Sequence, residues 1–145
     1  GFDLSMFWQG VYDKDVYNNQ KFQTDFWSIT DAGSNKGNRL LGAWNTNNTG
    51  STIPALTTNN TADEGRSSTY FVENGSYLKL RNLQLGYNLP ASFLSKFKMS
   101  SARVYLSGQN LLTIKSKSLT CSDPENPDWN YPLATSISFG LQLGF

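Results

Sequence analysis

The last ten residues, SISFGLQLGF, alternate without a break. Ile137, Phe139, Leu141, Leu143 and Phe145 are apolar; Ser136, Ser138, Gly140, Gln142 and Gly144 are small or polar. A period of two puts successive side chains on opposite faces of an extended strand, and a helical repeat does not produce it. One face of this strand is built for an apolar medium and the other for a polar one.

Three further segments carry the same pattern. In GFDLSMFWQGVY, Phe2, Leu4, Met6 and Trp8 share a phase opposite Asp3, Ser5, Phe7 and Gln9. In SYLKLRNLQLGYNLP, Leu83, Leu85, Tyr87 and Leu89 oppose Asn82, Gln84, Gly86 and Asn88, and Pro90 ends the run because proline cannot donate to a ladder. In SARVYLSGQNLLTIK, Ala102, Val104 and Leu106 oppose Arg103, Tyr105, Ser107 and Gln109; the pattern loosens at Gly108 and Asn110 and resumes at Leu112 and Ile114. The expectation is an all-β chain with strands at about 2–12, 77–89, 102–114 and 135–145.

The connections are unequal. Residues 13–76 form a long one with an Asn/Thr/Gly-rich centre, AWNTNNTGSTIPALTTNNTADEG, whose composition reads as loop. Residues 90–101 form a short one with one amphipathic turn carrying Phe93, Leu94 and Phe97. Residues 115–134 form a medium one containing SDPENPDWNYP.

The polar faces carry Ser, Gly, Gln and Asn rather than the charges of a free surface. That fits a barrel wall with lipid outside and a wet interior. No apolar run is long enough for a membrane-spanning helix, but a transmembrane strand needs only about 9–11 residues, half of them polar. The wall facing lipid is then Phe2, Leu4, Met6, Leu83, Leu85, Val104, Leu106, Phe139, Leu141 and Leu143. Unbroken alternation in the second strand sends Lys79 and Arg81 outward as well. They sit near the far interface, where a basic residue costs about 0–1 kcal/mol instead of about 2–4 at the midplane, so no bulge is required, though one near Asn82 would also rescue the pattern. Phe2, Tyr12, Tyr87 and Phe145 supply interfacial aromatics, with Trp8 facing lipid or joining the girdle. Short turns of outer-membrane barrels are periplasmic and long loops external, so 90–101 is periplasmic, 13–76 and 115–134 are external, and Phe145 ends in the periplasm.

Composition narrows the chemistry. Net charge is +1, so no nucleic-acid partner is expected. Histidine is absent, which removes the commonest general base and metal ligand, and Cys121 stands alone, so no disulfide or zinc spacing exists. Asp3 is the single carboxylate on its strand face, and no catalytic constellation is found. Asp123, Glu125 and Asp128 in SDPENPD, like Asp13 and Asp15, lack the rest of a calcium loop and read as turns. No metal or cofactor is expected. Trp27, Trp44 and Trp129, in the external connections, are the candidate substrate contacts, since a flat apolar ring suits a sugar face. Sequons at Asn47, Asn59 and Asn74 read as chance in an Asn/Thr-rich loop.

In order along the chain, GFDLSMFWQGVY, FVENGSYLKLRNLQLGYNLP, ARVYLSGQNLLTI, SDPE, YP and FGLQLGF resemble the C-terminal end of the SusC/RagA-like TonB-linked outer-membrane transporters, part of the TonB-dependent receptor family. The resemblance covers nearly the whole chain and is weakest between Asn18 and Arg66. It implies a transmembrane barrel of about 22 strands with a plug, of which this chain supplies the last four antiparallel strands and their long external loops. It further implies import of oligosaccharides or peptides, a SusD-like surface lipoprotein over the mouth, and coupling to the TonB complex through an N-terminal part outside this chain. Phe145 is similar to the terminal aromatic by which the barrel-assembly machinery recognises its clients. The residues alone leave two alternatives open. One is a secreted β-sandwich that binds carbohydrate through Trp27 and Trp44; the other is a segment of a porin- or adhesin-type barrel.

Overall fold

The chain is described from a computed structural model covering residues 1–26, 35–56, 63, 65–128 and 130–145. Its elements, in order, are strand β1 (Phe2–Val11), strand β2 (Asp15–Tyr17), helix α1 (Asn19–Asp25), strand β3 (Val72–Asn74), strand β4 (Tyr77–Asn88), helix α2 (Ala91–Leu94), strand β5 (Ser101–Lys115) and strand β6 (Ser136–Gly144), with 3-10 turns at Asn38–Gly42, Thr69–Phe71 and Ser95–Phe97. Among the described residues, no helix is long and apolar enough to cross a membrane. They fall into two compact units.

The first unit comprises Gly1–Tyr12, Ser76–Ser116 and Pro132–Phe145. It is one antiparallel sheet in the order β1-β4-β5-β6. Antiparallel neighbours suit a chain whose polar and apolar residues alternate, because both faces stay single in character across the sheet.

Two irregularities interrupt the register. Phe7 pairs with Asn82 but Trp8 pairs with Leu80, leaving Arg81 as an extra residue in β4. On the other side, Asn82 pairs with Gln109 while Leu80 pairs with Leu112, so Asn110 and Leu111 of β5 stand opposite the single residue Arg81. Asn110 takes a left-handed conformation (φ 52°), which asparagine tolerates better than most residues. The single extra residue reverses the phase of β4 beyond it, whereas Leu112 and Ile114 in β5 stay in phase with Leu106.

The second unit comprises Asp13–Gly75 and Lys117–Tyr131. Here the described part of the long connection is structured. β2 and β3 pair antiparallel, Val16 opposite Glu73. Phe71 is fully buried and centres an aromatic core with Phe26 and Leu40, ringed by Phe22, Tyr70 and Ile53. The Phe22 and Tyr70 rings meet Phe71 edge-on at 5.2 and 5.0 Å, the favoured arrangement for aromatic quadrupoles. Asn18 caps α1: its Oδ1 accepts the Lys21 N–H at 2.9 Å, and its own N–H donates to the Phe71 carbonyl at 2.7 Å.

Candidate functional site

The sheet presents two chemically distinct faces. Its register builds the first from cross-strand rows: Phe2–Tyr87–Val104–Leu141, Leu4–Leu85–Leu106–Phe139, Met6–Leu83–Gly108–Ile137, Trp8–Leu80–Leu112 and Gly10–Leu78–Ile114. Ala102 pairs with Leu143 in the same phase. Every position in these rows is apolar or glycine. Many of these side chains are large and uncovered, with Phe2 80%, Phe139 75% and Leu141 57% exposed, while Leu80 and Ala102 are buried. The ten residues expected to form the wall all lie on this face. A continuous apolar surface across four strands far exceeds what isolated surface hydrophobics produce, and it marks a face made to be covered.

The bulge corrects the sequence expectation for Lys79 and Arg81. Lys79 pairs with Gln9 and Thr113, on the polar face, and is only 4% exposed. Arg81 turns the same way: its Nε donates to Gln9 Oε1 at 2.9 Å and its Nη1 to Asn110 Oδ1 at 3.3 Å. Neither basic group stands on the apolar face, because the extra residue shifts the phase before Lys79 is reached.

The second face carries the rows Asp3–Gly86–Tyr105–Gly140, Ser5–Gln84–Ser107–Ser138 and Asn88–Arg103–Gln142. Arg103 reaches diagonally to Asp3, Nη2 to Oδ2 at 2.5 Å and Nε to Oδ1 at 3.2 Å. The pair crosses Gly86, where a Cβ would meet Asp3 Oδ1 at 2.5 Å and Arg103 Nη2 at 2.6 Å. The Tyr105 ring likewise occupies the space that a Cβ on Gly140 would need. The two glycines let large polar groups lie flat against the sheet. Asp3, read as a lone carboxylate, is thus an ion-pair partner.

In the second unit two buried carboxylates organise the loops. Asp25 is 0% exposed; it accepts Arg39 Nε through both oxygens (2.8 and 2.9 Å) and the Tyr70 hydroxyl at 3.0 Å. Glu73 accepts the Asn18 amide at 2.8 Å, the Thr120 N–H at 2.8 Å and the Thr120 hydroxyl at 2.9 Å, and Lys21 Nζ lies 3.4 Å away. Burial pushes the Tyr70 phenol well above its ordinary range, helped by its hydrogen bond to Asp25 and that carboxylate's charge. Burial also raises Glu73, but the Thr120 N–H, the Asn18 amide, the Thr120 hydroxyl and the Lys21 charge outweigh it. Its carboxyl is held below the usual value. Both carboxylates are used up in holding structure, and neither faces a reaction partner.

Of the candidate substrate contacts, Trp44 is exposed, its backbone N–H donating to the Ile53 carbonyl at 2.9 Å. Trp27 and Trp129 lie outside the described residues. Asp123 Oδ1 accepts the Glu125 N–H at 3.0 Å and Asp128 Oδ1 accepts the Asn19 amide at 2.7 Å. Among the described residues no three His, Cys, Asp or Glu side chains are grouped to hold a metal. Cys121 is fully buried, its Sγ 3.4 Å from the Asp123 carbonyl. Phe145 follows β6 and is exposed.

No protein-family model matches the chain. It is 35% identical over 115 residues to TonB-dependent receptor P3 of Formosa agariphila, covering 77% of this chain and 10% of that protein. It is 28% identical over 166 aligned positions to TonB-dependent receptor P26 of the same organism, covering 99% of this chain and 15% of that one. Two solved structures align over the whole chain and 16% of their own length. The RagAB peptide transporter gives a TM-score of 0.74 at 30% identity. The RagAB peptide importer in the open-open state gives 0.72 at 32%. The chain therefore spans well under a fifth of each relative.

Proposed function

The chain belongs to the TonB-dependent receptor family, a family of transporters and not of enzymes, and from that premise we propose that it is a barrel-wall and external-loop segment of an outer-membrane importer of peptides or oligosaccharides. The observation that carries the reading is the apolar face shared by β1, β4, β5 and β6, backed by a face that carries serine, glutamine, asparagine and glycine together with the Asp3–Arg103 pair and Lys79. Both a barrel wall and a soluble sandwich divide their faces this way, but a sandwich would cover the apolar face with a second sheet, whereas a wall leaves it to lipid, and here Phe2, Phe139 and Leu141 are uncovered.

In this reading β1 and β5 run outward and β4 and β6 inward. The ordered unit built from Asp13–Gly75 and Lys117–Tyr131 is external, and the turn between β4 and β5 is periplasmic. Trp44, with Trp27 and Trp129, would meet substrate or a SusD-like surface lipoprotein. Energy coupling through TonB belongs to the whole receptor, and contact of Phe145 with the barrel-assembly machinery is part of the same proposal. Similarity to a peptide transporter makes peptides the first substrate class to test. The test is uptake of labelled peptides and labelled oligosaccharides by cells with and without the full-length receptor. The reading expects one class to be taken up only when the receptor and a proton-motive force are both present. Uptake of both classes unchanged by loss of the receptor would contradict it.

A further inference from the structure

The short connection between β4 and β5 has features that a simple tight turn does not require. After Pro90 the chain makes α2 and one 3-10 turn, closed by Lys98 in a left-handed conformation (φ 53°). α2 packs against β5, and Leu94 and Ala102 are buried. Leu94 accounts for the fold of the turn. Phe93 and Phe97 do not contribute to that core: both are exposed and meet each other at a tilt of 42° with ring centroids 5.2 Å apart, as residues four apart on a helical turn can. Lys96 and Lys98 flank the outer ring and are exposed. No acidic residue lies between Glu73 and Asp123, so the turn is uniformly basic.

The location matters as much as the composition. The Ser100 N–H donates to the Gly144 carbonyl at 2.9 Å and the Leu89 N–H to the Ala102 carbonyl at 2.9 Å, so the turn stands at the end of the sheet where Phe2, Tyr87 and Phe145 also lie. The Phe2 and Tyr87 rings are 4.6 Å apart there. Exposed phenylalanines beside lysines, at the end of the sheet where the apolar face carries its aromatics, match an interface where rings enter the acyl boundary and ammonium groups stay with phosphates.

We propose that this turn is a membrane-surface site: Phe93 and Phe97 seat in the headgroup region of the adjoining leaflet, and Lys96 and Lys98 bind the phosphates of anionic glycerophospholipids. This rests on the membrane-spanning reading of the sheet. A turn whose charged residues are all lysines favours a lipid surface over a protein partner, which would need a surface complementary to both rings and both ammonium groups.

The experiment uses the full-length receptor reconstituted in bilayers of phosphatidylethanolamine, with and without phosphatidylglycerol. Nitroxide labels are placed at Ser95→Cys in the turn and at Leu106→Cys on the apolar face; the buried Cys121 stays unlabelled. Accessibility to oxygen reports lipid and accessibility to a nickel chelate reports water. The site predicts an interfacial depth at 95, deeper with phosphatidylglycerol, and a deep position at 106. Near anionic lipid each lysine is worth roughly a fivefold preference. The Lys96→Glu/Lys98→Glu variant should therefore lose a phosphatidylglycerol enrichment of at least about fivefold, read by mass spectrometry of retained lipids. A label at 95 in full water contact while 106 is in lipid overturns the site and leaves the wall reading intact; the turn would then be a candidate for a soluble protein partner. Both labels in water overturn the wall reading itself.

Discussion

Arg103 and Asp3, 100 residues apart in sequence, form a two-point ion pair across the intervening strand β4, and the pair lies directly over Gly86. The glycine is part of the ion pair because any side chain there competes with it for the same space. Gly86→Leu should therefore lower the urea midpoint of the full-length barrel in detergent micelles. The same substitution in an Asp3→Ala/Arg103→Ala background should lower it less, since nothing then occupies the space. Equal losses in both backgrounds would show that Gly86 is needed for another reason.

Tyr105 and Gly140 are cross-strand partners, and the ring covers the glycine. Gly140→Val should destabilise by about 1–3 kcal/mol, the range for forcing volume into a filled site. Tyr105→Ala should rescue much of that loss, as read by the same denaturation measurement.

Arg39 is the charge partner of a fully buried carboxylate. Arg39→Ala should destabilise the loop unit by about 3–5 kcal/mol, because Asp25 is left buried and uncompensated. Hydrogen exchange should show faster opening across α1 and the aromatic core with the four-stranded sheet unchanged. Asp25→Asn/Arg39→Met should be milder than Arg39→Ala alone, since it removes both charges.

The loop unit should also respond to pH in two directions. Glu73 is held below its ordinary value of 4.5, so its stabilisation is present above that pH and is lost as pH falls through the lower folded value. Glu73→Gln should flatten the acid limb of a stability profile. Tyr70 is raised above its ordinary 10.0, so its stabilisation is present below that pH and is lost as pH rises through the higher folded value. The ultraviolet difference spectrum between the parent and Tyr70→Phe should show one phenol that ionises after the ordinary tyrosines.

The four long strands were legible because alternation is a local property: SISFGLQLGF states its two faces residue by residue. The phase of Lys79 and Arg81 was not. The apolar residues of β4 do switch from even positions (Leu78, Leu80) to odd ones (Leu83, Leu85), but only the pairing of neighbours shows that the chain bulges there instead of sending both bases outward. The counterpart in β5 also left a trace, where the pattern loosens from Gly108 to Asn110. The order in the long connection was hidden for a different reason. Phe22, Phe26, Leu40, Tyr70 and Phe71 are scattered without period around an Asn/Thr-rich centre, so composition reports the centre and tertiary packing gathers the rest. The roles of Asn18, Asp25 and Glu73 follow from that packing and have no motif of their own. Asp3 and Arg103 could have been paired had the strand order been known, since both lie on polar phases two strands apart.

Leu106 and Ser107 are adjacent in β5 and face opposite ways, Leu106 in the row of Leu4, Leu85 and Phe139, Ser107 in the row of Ser5, Gln84 and Ser138. The most direct test of the lipid-facing wall is the amount of folded full-length receptor in the outer membrane for Leu106→Arg and for Ser107→Arg. A guanidinium placed in hydrocarbon costs about 2–4 kcal/mol near the midplane, whereas one in the lumen keeps its water. The account predicts that Leu106→Arg depletes the assembled barrel and that Ser107→Arg leaves it near the parent level. Normal assembly of Leu106→Arg, or depletion by Ser107→Arg alone, would contradict it.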